Sequence, residues 1–396
     1  MSEQREVVIL SGVRTAIGDY GGSLKDIPPT ELAARVVREA IRRSGVDSAL
    51  IGQCVFGNVI HTEPKDMYLS RVAAINGGLP HDTGALTLNR LCGSGLQAII
   101  SAAQYILLGD VDAAVAGGAE SMSRAAFMST TQRWGARMGD VKMLDAMVGA
   151  LTDPFDSMHM GVTAENVAKQ CGVTREAQDA FAVESHRRAA AAIGAGRFKD
   201  QILPIELKSK KGPLNFDTDE HVRGESTAES MAKLRAVFIK ENGTVTPGNA
   251  SGINDAAAAL VLMERSVAAA KGLKPMARLV AYGHAGIDPK IMGLGPVSAV
   301  KRALTKARLQ IGDIDVIESN EAFAAQALGV SKELGLDPAK VNPNGGAIAL
   351  GHPIGATGAI LTVKAMYELH RSGGRYGLVT MCIGGGQGIA AIIERL

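Results

Sequence analysis

Asn89-Arg90-Leu91-Cys92-Gly93-Ser94-Gly95-Leu96-Gln97 is the stretch that decides the fold: it reads as a strand-to-helix turn with a thiol at its apex. Thr87 to Leu91 and Val115 to Glu120 have the look of strands, and Leu96, Ile99, Ile100, Ala103 and Leu107 recur between them at helical spacing. The glycines keep the turn tight, and the start of the helix presents unpaired N–H groups with partial positive charge. Such a field favours thiolate over thiol, which makes Cys92 a candidate nucleophile. A free cysteine is otherwise a small buried hydrophobe, and this segment alone leaves both readings open.

Working outward, the C-terminal third repeats the unit. Gly351-His352-Pro353-Ile354-Gly355-Ala356-Thr357-Gly358 is a second glycine turn, Ala359 to Leu369 a second helix, Tyr376 to Met381 a second apolar strand, and Cys382-Ile383-Gly384-Gly385-Gly386-Gln387-Gly388 a second glycine run. Their counterparts are Leu91 to Gly95, the helix after it, Val111 to Ala116 and Gly117-Gly118-Ala119. Gly45-Val46-Asp47 to Gly57-Asn58 likewise matches Gly312-Asp313-Ile314-Asp315 to Ser319-Asn320. A duplicated α/β half sets equivalent turns face to face, so His352 is expected opposite Cys92, the pairing that nucleophilic thiol catalysis needs. His352 lies between Gly351 and Pro353 in what reads as an exposed turn and belongs to no apolar stripe. Cys382, closing the run Gly377 to Met381, reads by itself as strand filler, and Asn320-Glu321 as a turn and helix cap.

Taken together these segments resemble the thiolase family, in particular biosynthetic acetyl-CoA acetyltransferases, from about Glu6 to the C-terminus. Asn89 to Gln97 is similar to the family's nucleophile motif, Ser319-Asn320-Glu321-Ala322-Phe323-Ala324 to its Asn-Glu-Ala-Phe motif, Gly351 to Gly358 to its histidine motif and Cys382 to Gly388 to its second cysteine motif. Val55 to Gly78 and Trp134 to Gly139 look most like bacterial β-ketothiolases of polyhydroxyalkanoate synthesis.

The resemblance implies two duplicated α/β halves in a five-layer αβαβα core with an inserted loop domain. Residues 1–121, completed by 252–272, are expected to form the N-terminal half, 122–251 the loop domain and 273–396 the C-terminal half. It implies a reversible Claisen condensation of acetyl-CoA with a short-chain acyl-CoA through an acyl-cysteine, with coenzyme A thioesters as substrates and no resident cofactor or metal. Cys92 would be the nucleophile and His352 the acceptor of its proton. Cys382 would be the base that deprotonates the second thioester. Asn320, through a water, and His352 would meet the enolate oxygen, and the N–H groups of Cys92 and Gly384 the tetrahedral oxyanion. Glu321 would orient its neighbours. Positions beside coenzyme A match His159, Ser251 and Phe323 along the pantetheine arm and Arg223 and Ser230 towards the nucleotide. Pro247 stands where relatives often carry a small residue, so packing on that arm is expected to differ. A homotetramer joined through the loop domain is also implied.

Composition agrees with a cytoplasmic enzyme. Lys and Arg total 42 against 40 Asp and Glu, so charge points to neither nucleic acid nor a membrane surface as partner. The four cysteines, at 54, 92, 171 and 382, have no pairing or zinc spacing. The N-terminus lacks a signal or transit pattern, no apolar run is expected to approach the length needed to span a bilayer, and the C-terminal Ile393-Glu394-Arg395-Leu396 is no peroxisomal address. The run Lys208, Lys210 and Lys211 reads as a solvated loop. Three alternatives stand beside the main reading. Gly93-Ser94-Gly95-Leu96-Gln97-Ala98 fits a dinucleotide fingerprint, but Asp110 and Asp112 precede their strand where the fingerprint wants an acid at a strand's end. The others are a degradative 3-ketoacyl-CoA thiolase and a non-catalytic acyl-CoA-binding protein. Flux direction and acyl length are not legible in the sequence.

Overall fold

The computed structural model describes residues 5–208 and 212–396; Lys210 and Lys211 of the basic run therefore lie outside the described residues. The principal elements of the first half are β1 (Val7–Thr15), α1 (Pro29–Ser44), β2 (Ile51–Gly57), α2 (Leu69–Gly77), β3 (Gly84–Leu88), α3 (Ser94–Leu108) and β4 (Ala113–Ser121). An excursion carrying α4 (Met160–Cys171) and α5 (Arg175–Gly194) follows, and β5 (Asn254–Glu264) returns to the sheet. The second half runs β6 (Ala277–Gly286), α6 (Gly295–Ala307), β7 (Val316–Ser319), α7 (Ala324–Leu334), α8 (Thr357–Ser372), β8 (Tyr376–Ile383) and β9 (Gln387–Arg395).

The strand order β7-β8-β9-β6-β1-β5-β4-β2-β3 displays the duplication. Reading outward from the junction of β1 and β6, each half places a long antiparallel strand (β5 or β9), then β4 or β8, then β2 or β7. The pairing senses agree as well: β4 with β2 and β8 with β7 are parallel, whereas β4 with β5 and β8 with β9 are antiparallel. Val8–Arg278 and Ile9–Ala277 are the β1–β6 pairs among the described residues that join the halves edge to edge. Helices α3 and α8 touch one another and strands of both halves, while α1 and α2 pack on the first half and α6 on the second. The layers are thus αβαβα.

Small residues make the central layer possible. A Cβ on Gly118 would stand 2.1 Å from Gly355 O, and one on Gly95 2.7 Å from Ala359 N, so backbones meet in this layer with little between them. The run Ala256 to Ala259 on β5 is wholly buried, which is how a chain with 4% aromatic residues fills its core. Helix α1 shows its sequence logic: Leu32, Val36, Val37 and Ala40 are buried and Gly45 ends it at φ 68°. It begins at Pro29, in the first turn, where a missing N–H costs nothing, and Thr30 lies inside the helix. Leu91–Leu108 does reach the length and hydropathy of a membrane span, contrary to the sequence reading, but here it is the core helix α3.

The excursion is tied to the first half by a buried ion pair. Arg14 on β1 donates to both oxygens of Asp219 (2.7 and 2.9 Å) and to Gln201 Oε1 (2.9 Å), with the two side chains fully buried. Glu165 on α4 accepts from Thr244 N and Val245 N, drawing the return segment back towards the site.

Candidate active site at the junction of the two halves

The first catalytic candidate sits on a strained turn. Leu91 has φ 46°, a left-handed conformation that a branched residue adopts at a cost, and it is held there by Asn89 Oδ1, which accepts from Leu91 N at 2.8 Å. Ser94 closes the turn, accepting from Arg90 N and donating to Leu91 O. A Cβ at Gly93 would stand 2.6 Å from Ile383 Cδ1, so only glycine lets the turn approach the second half. The resulting Cys92 is half-buried and packs beside Ile60, Met122 and Ile354.

The expectation of a resting thiolate is corrected here. Burial pushes the Cys92 thiol up to about 11, against the pull of the N–H groups of Gly384 and of Cys92 itself, and the charge of Glu120 pushes it further. The helix N-terminus is present, but removing water from the thiolate outweighs it. Those two N–H groups are the pair expected to hold an oxyanion.

His352 is buried, 5% exposed, rather than lying in an exposed turn. Thr357 Oγ1 spends its proton on Pro353 O at 2.9 Å, so at 2.7 Å from His352 Nδ1 it accepts, which places the imidazole proton on Nδ1. Nε2 is left as the acceptor and faces Asn320 Nδ2 at 3.3 Å. Burial holds the ring down at about 4, so it rests neutral. Its backbone is pinned by Asn254, whose Oδ1 accepts from His352 N (2.9 Å) while Nδ2 donates to Gly18 O. The side chain of Asn254 also fills the space a Cβ on Gly351, at φ 110°, would need.

Asn320 follows the end of β7, and its N–H still bonds Thr380 O on β8 (3.0 Å). Its Oδ1 is buried with no hydrogen-bond partner among the described residues, an acceptor left open. Glu321 accepts from Ser185 Oγ (2.6 Å), Asn342 Nδ2 (2.8 Å) and Ile348 N (3.2 Å), so it braces the loop and does not face His352. Cys382 is fully buried near the end of β8; burial raises its thiol, and the nearby charge of Cys92 raises it again, so the two sulfurs feel one another. The structure thus brings Asn320 against His352, and Cys92 against Gly384 and Cys382.

Sequence reasoning passed over Glu120. It ends the glycine run of the first half and accepts from Asn58 Nδ2 (3.1 Å), Val59 N (3.1 Å), Ile60 N (3.1 Å) and, across the junction, Gly355 N (2.8 Å). It therefore ties the loop of His352 to the half that carries Cys92. Burial raises its carboxyl to about 8. Asn254 and Asn342 were also missed; each acts on a partner far away in sequence, and no local spacing announces it. Among the described residues, no group of three or more His, Cys, Asp or Glu is arranged to hold a metal ion.

Profiles of the thiolase N-terminal and C-terminal domains match residues 7–266 and 273–395. The chain belongs to the thiolase family. It is 68% identical over 392 residues to "Beta-ketothiolase BktB" of Cupriavidus necator, covering 99% of this chain and all of that one. Among solved structures, the acetyl-CoA acetyltransferase of Bacillus anthracis superposes with a TM-score of 0.97 at 46% identity, covering 99% of both chains. Human mitochondrial 3-ketoacyl-CoA thiolase does so with a TM-score of 0.97 at 43% identity, covering 99% of this chain and 100% of the other.

In this thiolase three of the five expected coenzyme A positions converge. His159 caps α4, its Nδ1 accepting from Gly161 N (3.1 Å), and its ring stacks on Phe238 with centroids 4.7 Å apart. Phe238 meets Phe323 edge to face at 6.3 Å, and Ser251 N bonds Ala322 O beside it. Phe238, the middle of this wall, was not picked out from sequence; its signal is Gly161, where a Cβ would collide with the Phe238 ring at 2.2 Å. Arg223 and Ser230 lie apart on an exposed segment. Arg223 pairs with Asp19 (3.1 Å), and Ser230 closes a capping box with Thr227. At Pro247 the side chains of Asn249 and Thr246 close the turn by accepting from Thr246 N and Gly248 N.

Proposed function

We propose that this thiolase condenses acetyl-CoA with a short-chain acyl-CoA to a 3-ketoacyl-CoA, reversibly, through an acyl group carried on Cys92. The observation that carries the reading is the meeting of Cys92 from one half with Gly384 and Cys382 from the other, together with the contact of Asn320 with His352.

The steps balance in protons. His352 Nε2 takes the Cys92 proton as sulfur attacks the thioester carbonyl, and the N–H groups of Cys92 and Gly384 receive the oxyanion, an interaction worth about 3–4 kcal/mol per donor in other enzymes. The departing coenzyme A thiolate takes the proton of Cys382. The acyl-enzyme then holds a Cys382 thiolate and a His352 imidazolium, which are the base and the Nε2–H donor that the second half-reaction requires. Cys382 removes a proton from the methyl of the second acetyl-CoA, and His352 with Asn320 stabilises the enolate. Its carbon attacks the acyl-cysteine, Cys92 leaves as thiolate, and His352 returns its proton.

Residues 122–251 are assigned to coenzyme A binding and oligomerisation, with 1–121 plus 252–272 and 273–396 as the two halves; the stacked wall of His159, Phe238 and Phe323 supports the first role. Exposed Phe127, Met128, Trp134 and Met138 support a homotetramer joined through this domain. Arg223 and Ser230 are assigned to the nucleotide end, and coenzyme A thioesters are the only small molecules required. Cytoplasmic residence and a place in polyhydroxyalkanoate precursor supply complete the reading.

Thiolysis of acetoacetyl-CoA, 3-ketovaleryl-CoA and a long-chain 3-ketoacyl-CoA tests it. Turnover of the two short substrates is expected; dominant long-chain turnover would transfer the protein to fatty-acid degradation, and none at all to acyl-CoA binding without catalysis.

A further inference from the structure

Behind the site lies a charged pair that the chemistry above does not use. Lys364 on α8 is 2% exposed and Glu318 on β7 0% exposed, and Lys364 Nζ donates to Glu318 Oε2 at 2.7 Å and to Gly345 O at 2.8 Å. The other carboxylate oxygen of Glu318 is buried with no hydrogen-bond partner among the described residues. Removing two charges from water is costly, and such a pair adds little or nothing to stability compared with apolar side chains of similar volume. Its place in the fold suggests another use.

Residues two apart on an extended strand face the same side, and residues seven apart on a helix lie on one face two turns on. Glu318 and Asn320 are therefore neighbours on one side of the β7 strand, continued past its end by the bond from Asn320 N to Thr380 O. Thr357 and Lys364 are neighbours on one face of α8. Thr357 holds His352 Nδ1, and His352 Nε2 meets Asn320, so strand and helix are bridged twice: by Asn320–His352–Thr357 in the site and by Glu318–Lys364 one step behind it. The second bond of Lys364, to Gly345 O, grips the loop leading to His352 from the other end. A neighbouring brace lies on the opposite side, where Asn342 Oδ1 accepts from Ser319 N (2.9 Å) and Nδ2 donates to Ser319 O (2.8 Å) and Glu321 Oε1.

We infer that Lys364 and Glu318 are positioning residues for the condensation step, fixing the register between the strand of Asn320 and the helix of His352 so that both groups meet the enolate oxygen. The inference rests on the assignment of Asn320 and His352 to that oxygen. A shift of a few tenths of an ångström in this register lengthens the 3.3 Å contact between the two side chains, while Cys92, on the turn before α3, keeps its place.

The test replaces both charges at once with apolar side chains of similar size, Glu318→Leu with Lys364→Met, because removal of one partner alone strands a buried charge. Single variants Glu318→Gln and Lys364→Arg accompany it. In the double variant kcat for acetoacetyl-CoA synthesis is expected to fall at least about fivefold, with KM for acetyl-CoA within about twofold and the yield of acetyl-Cys92 by intact mass unchanged. Lys364→Arg, which keeps the charge and both donors, should retain more activity than the double variant. In an Asn320→Ala background the double substitution should cost less than it does in the wild type, since one of the two groups it positions is gone. A folded double variant with wild-type kcat, or losses that multiply with Asn320→Ala, would overturn the inference. If the double variant does not fold, Glu318→Gln combined with Asn320→Ala supplies the same cycle, and multiplying losses there overturn the inference as well. Should Asn320→Ala itself turn over normally, the assignment of Asn320 fails first, and that outcome is distinct from the others.

Discussion

Gly95 and Gly358 stand at equivalent places in the two central helices, and each leaves room for the other's backbone. A Cβ on Gly95 would lie 2.7 Å from Ala359 N, and one on Gly358 2.2 Å from Leu96 N. Because Cys92 precedes one helix and His352 the other, this crossing sets the distance between the halves of the site. Gly358→Ala must push the helices apart and is expected to destabilise the fold by about 1–3 kcal/mol, as overpacking does. Turnover should fall more than tenfold in the fraction that remains folded. Chemical denaturation and kcat on the same preparation check this; full activity would mean that the crossing does not control the site.

The thiol of Cys92, held up at about 11 by burial, gives a sharp expectation for pH. Alkylation of the free enzyme by iodoacetamide at Cys92 should keep accelerating from pH 7 to beyond pH 9, instead of levelling near ~8.5 as an unperturbed cysteine would. His352, held at about 4, stays neutral through this range and should give turnover an acid limb below pH 5. A plateau of alkylation near neutrality would place a resting thiolate at Cys92.

The two cysteines should separate by half-reaction. Cys92→Ala is expected to yield no acetylated protein on incubation with acetyl-CoA. Cys382→Ser should still acetylate at Cys92 but lose condensation by about 10²–10⁴-fold, the scale of a missing general base. Intact mass and acetoacetyl-CoA formation distinguish the outcomes, and acetylation of the Cys92→Ala protein at another residue would refute the nucleophile assignment.

Glu120 predicts a stability effect with a definite sign. Its folded carboxyl is raised to about 8 from an ordinary value of about 4.5, so between those values the folded state binds more protons and stability falls as pH rises. Glu120→Gln cannot titrate. It is expected to be less stable than wild type at pH 5, where the native carboxyl is still neutral in the folded state. That gap should narrow by about 2–5 kcal/mol towards pH 8 as wild type alone loses ground. Denaturant melts of both proteins across that range check it; a constant gap would mean that Glu120 does not titrate there.

Much of this site was legible because its chemistry is written in local runs. A glycine turn before a helix, twice, pointed to Cys92 and His352, whereas Cys382 and Gly384 took their roles from the family resemblance. The repeat announced two similar halves, which the strand order displays. What stayed hidden were residues whose meaning is a partner elsewhere. Glu120 faces Gly355, Asn254 faces His352, Lys364 faces Glu318, and Phe238 lies between His159 and Phe323. The protonation state of Cys92 was misjudged for the same reason. The helix N-terminus that favours thiolate is local, whereas the burial that opposes it comes with the second half closing over the turn.

The mirrored strand order has a consequence for what can be divided. A chain cut in the connection between β5 and β6, after Arg265 to Ala270, would leave two pieces that each carry a whole set of strands and yet only part of the chemistry: Cys92 in one, and His352, Asn320, Cys382 and Gly384 in the other. Neither piece could turn over substrate, and activity would reappear only on mixing, as a bimolecular complementation whose strength reports how firmly the two halves hold together.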